Sequence, residues 1–552
     1  MNVPMNKDEV MRVVTQKYLD GLDKDNIPSN SQIAKELIER VREEFSLENA
    51  LRVKGEKWVI PQQLTNAQIA LIVRFKYSIV KIACGGREKT SEGQELLGVY
   101  QTHGPDEGLY TTSNDDFWKI MKGFNFNLSI KAFEEIMVII KKESPLVEPC
   151  NDQDLIAVNN GIFNYKTKVL MPFSSDYVFL SKSKVNYNPR AQNHVLHNPD
   201  DNMDWDVESW MNELSDDPEI VNLFWEILGA ILRPNVSWNK SVWFYANTGN
   251  NGKGTLCELM RNLCGPGTYA SIPLNQLGQN FGLEALIGAS AIIVDENDVG
   301  AYVDSAANLK AIITHDVIQI NRKFKTAVAY KCKGLMVQCV NEFPRVKDKS
   351  GSLYRRQLLV PFTKCFTGCE RKYIKNDYLH RAEVLEYVLY KVLNMNYYTL
   401  SEPMACTQLL EEYKTYNDPL RQFVEDVFPK LVWDLQPFTF LYELYKAWYR
   451  KNSPSGTPLG RNAFIESLIS LLPTLPEWEC ENKKKSISTG NKMDLPEPLI
   501  IEFDIREWMN PNYKGNDKDL ICHPDLKKNY RGLERKAAYW GSANKAAKVE
   551  SK

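Results

Sequence analysis

The chain has 552 residues, 43% of them hydrophobic and 25% charged, which excludes a largely disordered polymer and is too much for one core. At about 100–200 residues per domain, three or four domains are expected. With 68 basic and 70 acidic residues the net charge is −2, so any nucleic-acid contact has to come from local basic surfaces rather than global attraction.

Residues 1–95 are predicted to form a small N-terminal domain of unknown role. The run Ser31-Gln-Ile-Ala-Lys-Glu-Leu-Ile-Glu-Arg-Val41 sets Ile33, Leu37 and Val41 on one helical face. A helical module is the expectation, with a DNA-binding helix-turn-helix as the alternative. Residues 96–235 read as a mixed, then helical segment. Asn159-Asn-Gly161 between apolar pieces predicts a hairpin, and Lys184-Val-Asn-Tyr-Asn-Pro189 a second extended piece. Pro218 opens a helix in which Ile220, Leu223, Phe224, Ile227, Leu228 and Ile231 follow helical spacing.

Over 236–375 the rhythm changes to short apolar strands alternating with helices. The strands are Ser241–Ala246, Ala289–Val294, Leu335–Val340 and Gln357–Phe362, a pattern that predicts a parallel α/β sheet. Residues 376–425 read as a helical linker. In 426–552, helices around Leu441–Trp448 and Phe464–Leu471, with strand-like Ile500-Ile-Glu-Phe503, suggest a winged helix. Its tail from Lys527 to Lys552 is basic, either a DNA contact or a solvated end.

The strongest chemical signal is Asn247-Thr-Gly249-Asn250-Asn251-Gly252-Lys253-Gly254-Thr255, between a strand and a helix. Phosphate-binding loops need that setting, because N–H groups at a helix start point at the phosphates. Lys253 is expected to bridge the β- and γ-phosphates of ATP, and Thr255, one residue later than usual, to reach Mg²⁺. Asp295 and Glu296 end an apolar strand some 40 residues on, where one acid serves Mg²⁺ and the other polarises the attacking water. Asn341 ends a further strand, placed for the γ-phosphate or that water. Arg355 and Arg356 precede the last strand. In a ring ATPase one arginine enters the neighbour's site, and the sequence leaves open which of the two does so.

These four elements in order resemble the superfamily 3 helicases, and more closely the phage/plasmid primase–helicase family, including replicative helicases of staphylococcal-type chromosome cassettes. Asn160-Gly-Ile-Phe-Asn-Tyr165, the run from Asp348 through Tyr354-Arg-Arg, and Tyr416-Asn-Asp-Pro419 extend the resemblance over about 150–520. It implies an AAA+-type core, a homo-hexameric ring and 3′→5′ translocation on single-stranded DNA, for replication of a mobile element. It also implies a DNA-contacting hairpin over Gln319–Lys333, where Arg322, Lys323, Lys325, Lys331 and Lys333 interleave with Phe324 and Tyr330. The alternative for that ribbon is an ordinary edge guarded by lysines. Many relatives carry a primase, but no Asp-x-Asp pair on a strand precedes residue 240. Only Cys84 and Cys150 lie there, so no primase activity is expected.

An origin-binding initiator using ATP as an assembly switch is the competing function. It would read DNA around Arg461 and Asn462 and work beside a separate primase or polymerase. Cys365-x₃-Cys369 with His380, and His194-x-x-His197, are weak zinc patterns, and His315-Asp316 reads as a turn, with a nucleotide-state sensor as the alternative. The 11 scattered cysteines suit a reducing compartment. The N-terminus lacks a secretory apolar core, and no apolar run reaches the ~18 residues of a membrane span, so a cytoplasmic protein is expected.

Overall fold

A computed structural model describes residues 6–23, 26–279, 282–298, 302–303, 306–323, 325–346, 351–452 and 458–539. The chain divides into two compact units, residues 1–409 and 410–552.

The first unit opens with helices Lys7–Asp20, Asn30–Ala50 and Asn66–Lys76. Ser29 caps the second by accepting from the Gln32 N–H, and Ile33, Leu37, Val41 and Phe45 line its fully buried face. Strand Ile79–Ile82 then pairs with Leu96–Tyr100 and with Leu146–Val147. The boundary expected at 95 therefore falls between paired strands. One core joins Ile33, Val99 and Ile140, so residues 1–95 do not close a domain alone. The predicted Gly161 hairpin is present, Leu155–Val158 against Gly161–Asn164. Lys184–Pro189 forms no strand; it is tied to that hairpin by single bonds such as Asn159 N–H to Val185 O, 3.0 Å.

Helix α1 (Pro218–Ala230) begins on its proline, capped by Asp217. Val221 and Trp225 are buried along with the predicted stripe, so the helix lies inside the core rather than on its surface. Next come β1 (Ser241–Tyr245), α2 (Lys253–Cys264), β2 (Tyr269–Ala270), β3 (Ala291–Val294), α3 (Ala306–Ile313), β4 (Val317–Arg322), β5 (Lys325–Lys331), β6 (Leu335–Val340) and β7 (Gln357–Pro361). Five of them form one parallel sheet, ordered β2-β3-β6-β1-β7, while β4 and β5 make a separate antiparallel hairpin. Both faces of the sheet are covered, which is why β3 and β6 are unbroken apolar runs apart from Gln338.

Arg233, just past α1, is 1% exposed. Its guanidinium lies 3.4 Å from the Tyr165 ring centre and 4.8 Å from that of Tyr398, and Nη1 donates to Tyr397 O at 2.8 Å. Desolvated cation–π contact and a charged hydrogen bond are each worth about 2 kcal/mol. Arg233→Ala should lower the urea unfolding midpoint by an amount equal to roughly 2–4 kcal/mol. Arg233→Met, which keeps the volume, should recover part of the loss.

The second unit contains helices Pro419–Val427, Phe438–Asn452 and Arg461–Leu471 with a three-stranded antiparallel sheet. Its core takes in Leu420 and Phe423, so the end of the expected linker belongs here. Ile500-Ile-Glu-Phe is not a strand. Pro498, with φ −60°, starts a short helix over Leu499–Glu502. The part of the basic tail that is described includes strand Gly532–Arg535, and Arg535 is 4% exposed and donates to Leu431 O. Residues 540–552 lie outside the described residues.

Glu497 in this unit is fully buried, with Oε2 accepting from Val432 N–H (2.8 Å) and Trp433 N–H (3.3 Å). Burial outweighs those bonds and pushes its carboxyl up to about 7 from the usual 4.5. The folded state thus holds a proton that the unfolded chain has released between those two values. Stability should fall as pH rises from about 4.5 to about 7, by roughly 3 kcal/mol, then level off. Urea unfolding at pH 5 and pH 8 should record that slope, and Glu497→Gln should flatten it.

Candidate active site

The loop after β1 turns sharply into α2. Asn250 sits at φ +53° and Gly252 at φ +90°. A Cβ at Gly252 would meet Leu214 Cδ2 at 2.7 Å, so both the backbone angle and the space require glycine. Gly252 is also the N-cap of α2 and supplies no side-chain cap; Lys253 N–H donates to Asn251 Oδ1 at 3.4 Å, which leaves the next helix-start N–H groups for a ligand. The outer limb, with exposed Gly249, is held by a neighbouring loop. Phe366 N–H donates to Asn250 O at 2.7 Å, and Asn250 Nδ2 donates to Glu370 Oε1 at 3.0 Å. Asn251 folds inward, and its Nδ2 donates to Thr248 O.

Lys253 is 5% exposed, and its Nζ donates to Asn341 Oδ1 at 2.7 Å and to Val340 O at 3.2 Å. The two residues are 88 apart in sequence, and the sheet joins them: β6 lies beside β1, with Val340 opposite Tyr245. Tyr245 stacks on Phe343 at 4.3 Å and pins the turn that carries Asn341. Burial lowers the Lys253 ammonium below its usual range. An ammonium has three donors, so one remains to meet an anion.

Asp295 follows β3, whose Val294 lies opposite Gln338 of β6, so it stands on the same sheet edge as Asn341. Its Oδ1 accepts from Arg261 Nη2 at 2.7 Å. Burial pulls this carboxyl upward, but the hydrogen bond and charge of Arg261, with the charge of Lys375, hold it below the usual range. Lys253 and Asp295 both act on the buried Cys339 thiol, from opposite signs of charge. Asn297 anchors the acidic turn, donating to Gln338 Oε1 and Cys339 O at 2.9 Å each. Glu296 is exposed and makes no hydrogen bond or ion pair among the described residues. Thr255 is half-buried in the first turn of α2.

Arg261 and Lys375 escaped the sequence reading. Arg261 lies two turns beyond Lys253 on α2, a spacing that carries no motif. Lys375 comes from a distant short helix, and its Nζ lies 3.7 Å from where a Cβ of Gly254 would be. A Cβ at 254 would stand in ordinary contact with that amine, so space alone does not require the glycine found where serine or threonine is usual.

Arg355 and Arg356 sit at the other end of the sheet. Gln357, next in the chain, pairs with Ser241 at the start of β1, while the phosphate loop follows the end of β1. Five residues at about 3.3 Å each separate the two edges by roughly 16 Å. Arg356 is bound locally: Nη1 donates to Ser352 Oγ at 2.7 Å. Arg355 is exposed and has no side-chain partner among the described residues.

The β4–β5 hairpin lies where expected, but its cations are not equivalent. Arg322 folds onto its own turn, donating to Thr326 O at 2.8 Å and 3.0 Å. Lys323, Lys325 and Lys331 are exposed. Lys333 turns inward, donating to Cys150 O at 3.0 Å and Asn235 Oδ1 at 2.9 Å. Tyr330 is 7% exposed and accepts from Gly288 N–H at 2.9 Å. Neither Lys333 nor Tyr330 is therefore placed to meet DNA, and Phe324 lies outside the described residues. His315 occupies a left-handed turn, at φ +56°. Among the described residues no three His, Cys, Asp or Glu side chains gather as metal ligands, and no helix is long and apolar enough to cross a membrane.

Three stretches match family models. Residues 52–217 match a model described as D5 N terminal like, 244–356 a family of unknown function (DUF5906), and 415–506 one described as Poxvirus D5 protein-like. Among solved structures, the A form of the apo NrS-1 C terminal region is 13% identical, with a TM-score of 0.43. That match covers 85% of this chain and 99% of the other. The JCV helicase is 18% identical, with a TM-score of 0.23, over 38% of this chain and 58% of its own. Scores at this level do not establish a shared fold.

Proposed function

We propose that the chain is an ATP-driven DNA helicase of the superfamily 3, AAA+ type, acting in replication. The observation that carries the reading is the Lys253–Asn341 contact beside Asp295, at the strand ends where an uncapped helix begins. The residues suit Mg·ATP: a buried ammonium with a spare donor, the helix-start amides of Gly254 and Thr255, and a carboxylate held anionic. When bound, the magnesium ion neutralises charge on the phosphates. Lys253 and the loop amides hold the phosphates, and Asp295 with Thr255 takes the metal side. Asn341 and Glu296 orient water. Arg355 completes the site of a neighbouring subunit, since its own lies across the sheet.

The D5-type matches at both ends of the chain support a replication role. In this reading the subunits form a hexameric ring moving 3′→5′ on single-stranded DNA, with Lys323 and Lys325 on the translocating hairpin. The winged-helix reading of residues 426–552, with exposed Arg461 and Asn462 at a helix start, adds a duplex contact.

Strand displacement on forks with a 3′ or a 5′ tail, alongside particle mass, tests this. Unwinding of the 3′-tailed fork by a six-subunit particle is expected. ATP-dependent DNA binding without displacement would favour the assembly-switch initiator instead.

A further inference from the structure

Behind the hairpin root, away from the phosphate loop, lies a cavity of about 570 Å³. That size suits a small molecule. The hairpin forms one wall and the N-terminal sheet another: Lys331 N–H donates to Cys84 O at 3.0 Å, and Gly85 packs on Ala329. The remaining wall combines an apolar patch of Ile156, Phe179 and Leu232 with polar groups such as Lys182 and Ser183.

The polar groups are unbalanced. Lys331 and Lys333 both line the cavity, and neither has a carboxylate at ion-pair distance among the described residues. Lys333 uses two donors on Cys150 O and Asn235 Oδ1, which leaves one. Five lining cations, Lys182, Lys331 and Lys333 among them, stand against three lining carboxylates, Glu88, Glu148 and Asp316; Glu148 accepts from Arg87 N–H and Asp316 from the Thr314 hydroxyl. His315 also lines the cavity, is 7% exposed, and its ring has no hydrogen-bond partner among the described residues. Buried polar groups ordinarily find partners.

We infer that this cavity binds a mononucleotide, its phosphate on Lys331 and Lys333, its base on the apolar patch with an edge on His315. Burial first, then the charges of Lys333 and Lys331, push His315 down to about 4, so the ring is neutral at neutral pH. A neutral imidazole offers one donor and one acceptor, as a base edge does. Burial likewise lowers Lys333 to about 8, and an anion beside it would reverse that shift.

The test is calorimetric titration of the full chain carrying Lys253→Ala, which closes the ATP site, with thymidine monophosphate. One saturable site is expected. Adding Lys333→Met should weaken it at least tenfold, and so should Lys331→Met, an exposed position where folding is not at stake. Inorganic phosphate alone should bind at least tenfold more weakly than the nucleotide. No binding, or binding unchanged in both lysine variants, overturns the site. Equal affinity for phosphate overturns the nucleotide. Binding of a ten-nucleotide single strand but not of the monophosphate reassigns the lysines to DNA and overturns the proposal.

Discussion

Replacing Arg355 with alanine is expected to reduce ATP turnover by roughly 10³–10⁵-fold while leaving ATP binding nearly intact, the range an arginine supplied across an interface contributes. Arg356→Ala should do much less to turnover. Its guanidinium holds Ser352 in its own turn, so the loss of that side chain should register mainly in stability. In the proposed ring Arg355 would serve a neighbour, because it stands at the strand starts, while Lys253, Asn341 and Asp295 stand at the strand ends. Mixing Arg355→Ala subunits with subunits lacking Lys253 should restore turnover at the interfaces that pair an intact arginine with an intact lysine. Independent, additive activities in such mixtures would rule out action in trans.

Lys253→Ala carries the second large effect. It removes the buried ammonium that reaches Asn341, and with it both the proposed phosphate contact and the tie between the loop and β6. Turnover should fall by at least about 10²-fold, the loss seen when one positioned donor is taken from a transition state. Unlike Arg355→Ala, it should also weaken nucleotide binding, measurable with a fluorescent ATP analogue. The fold should persist, because the lysine donates to loop groups and does not fill the core around α1.

Most of this site was legible because its parts are local. Gly252 and Lys253 stand in a strand–turn–helix whose geometry is dictated by neighbours in sequence, and Asp295 and Asn341 each close an apolar run. What the sequence hid depends on packing between distant segments. Arg261 meets Asp295 only because α2 lies against β3, and Lys375 meets Gly254 only because a helix over 100 residues later folds back. The hairpin misled in its lower half for a similar reason. Val328, Ala329 and Tyr330 are buried in succession, since residues 84–85 and 288 cover both faces of the root and suppress the alternation of an exposed ribbon. At Ile500 the β-branched pair pointed to a strand, and the proline before it prevailed.

The most direct measurement of the central claim is ATP hydrolysis by the full chain with and without single-stranded DNA, beside the Asp295→Asn protein. Turnover is expected to rise with DNA in the parent and to be lost in the variant, whose ATP binding without magnesium is retained. Turnover that persists in Asp295→Asn, or ignores DNA in the parent, would contradict that claim.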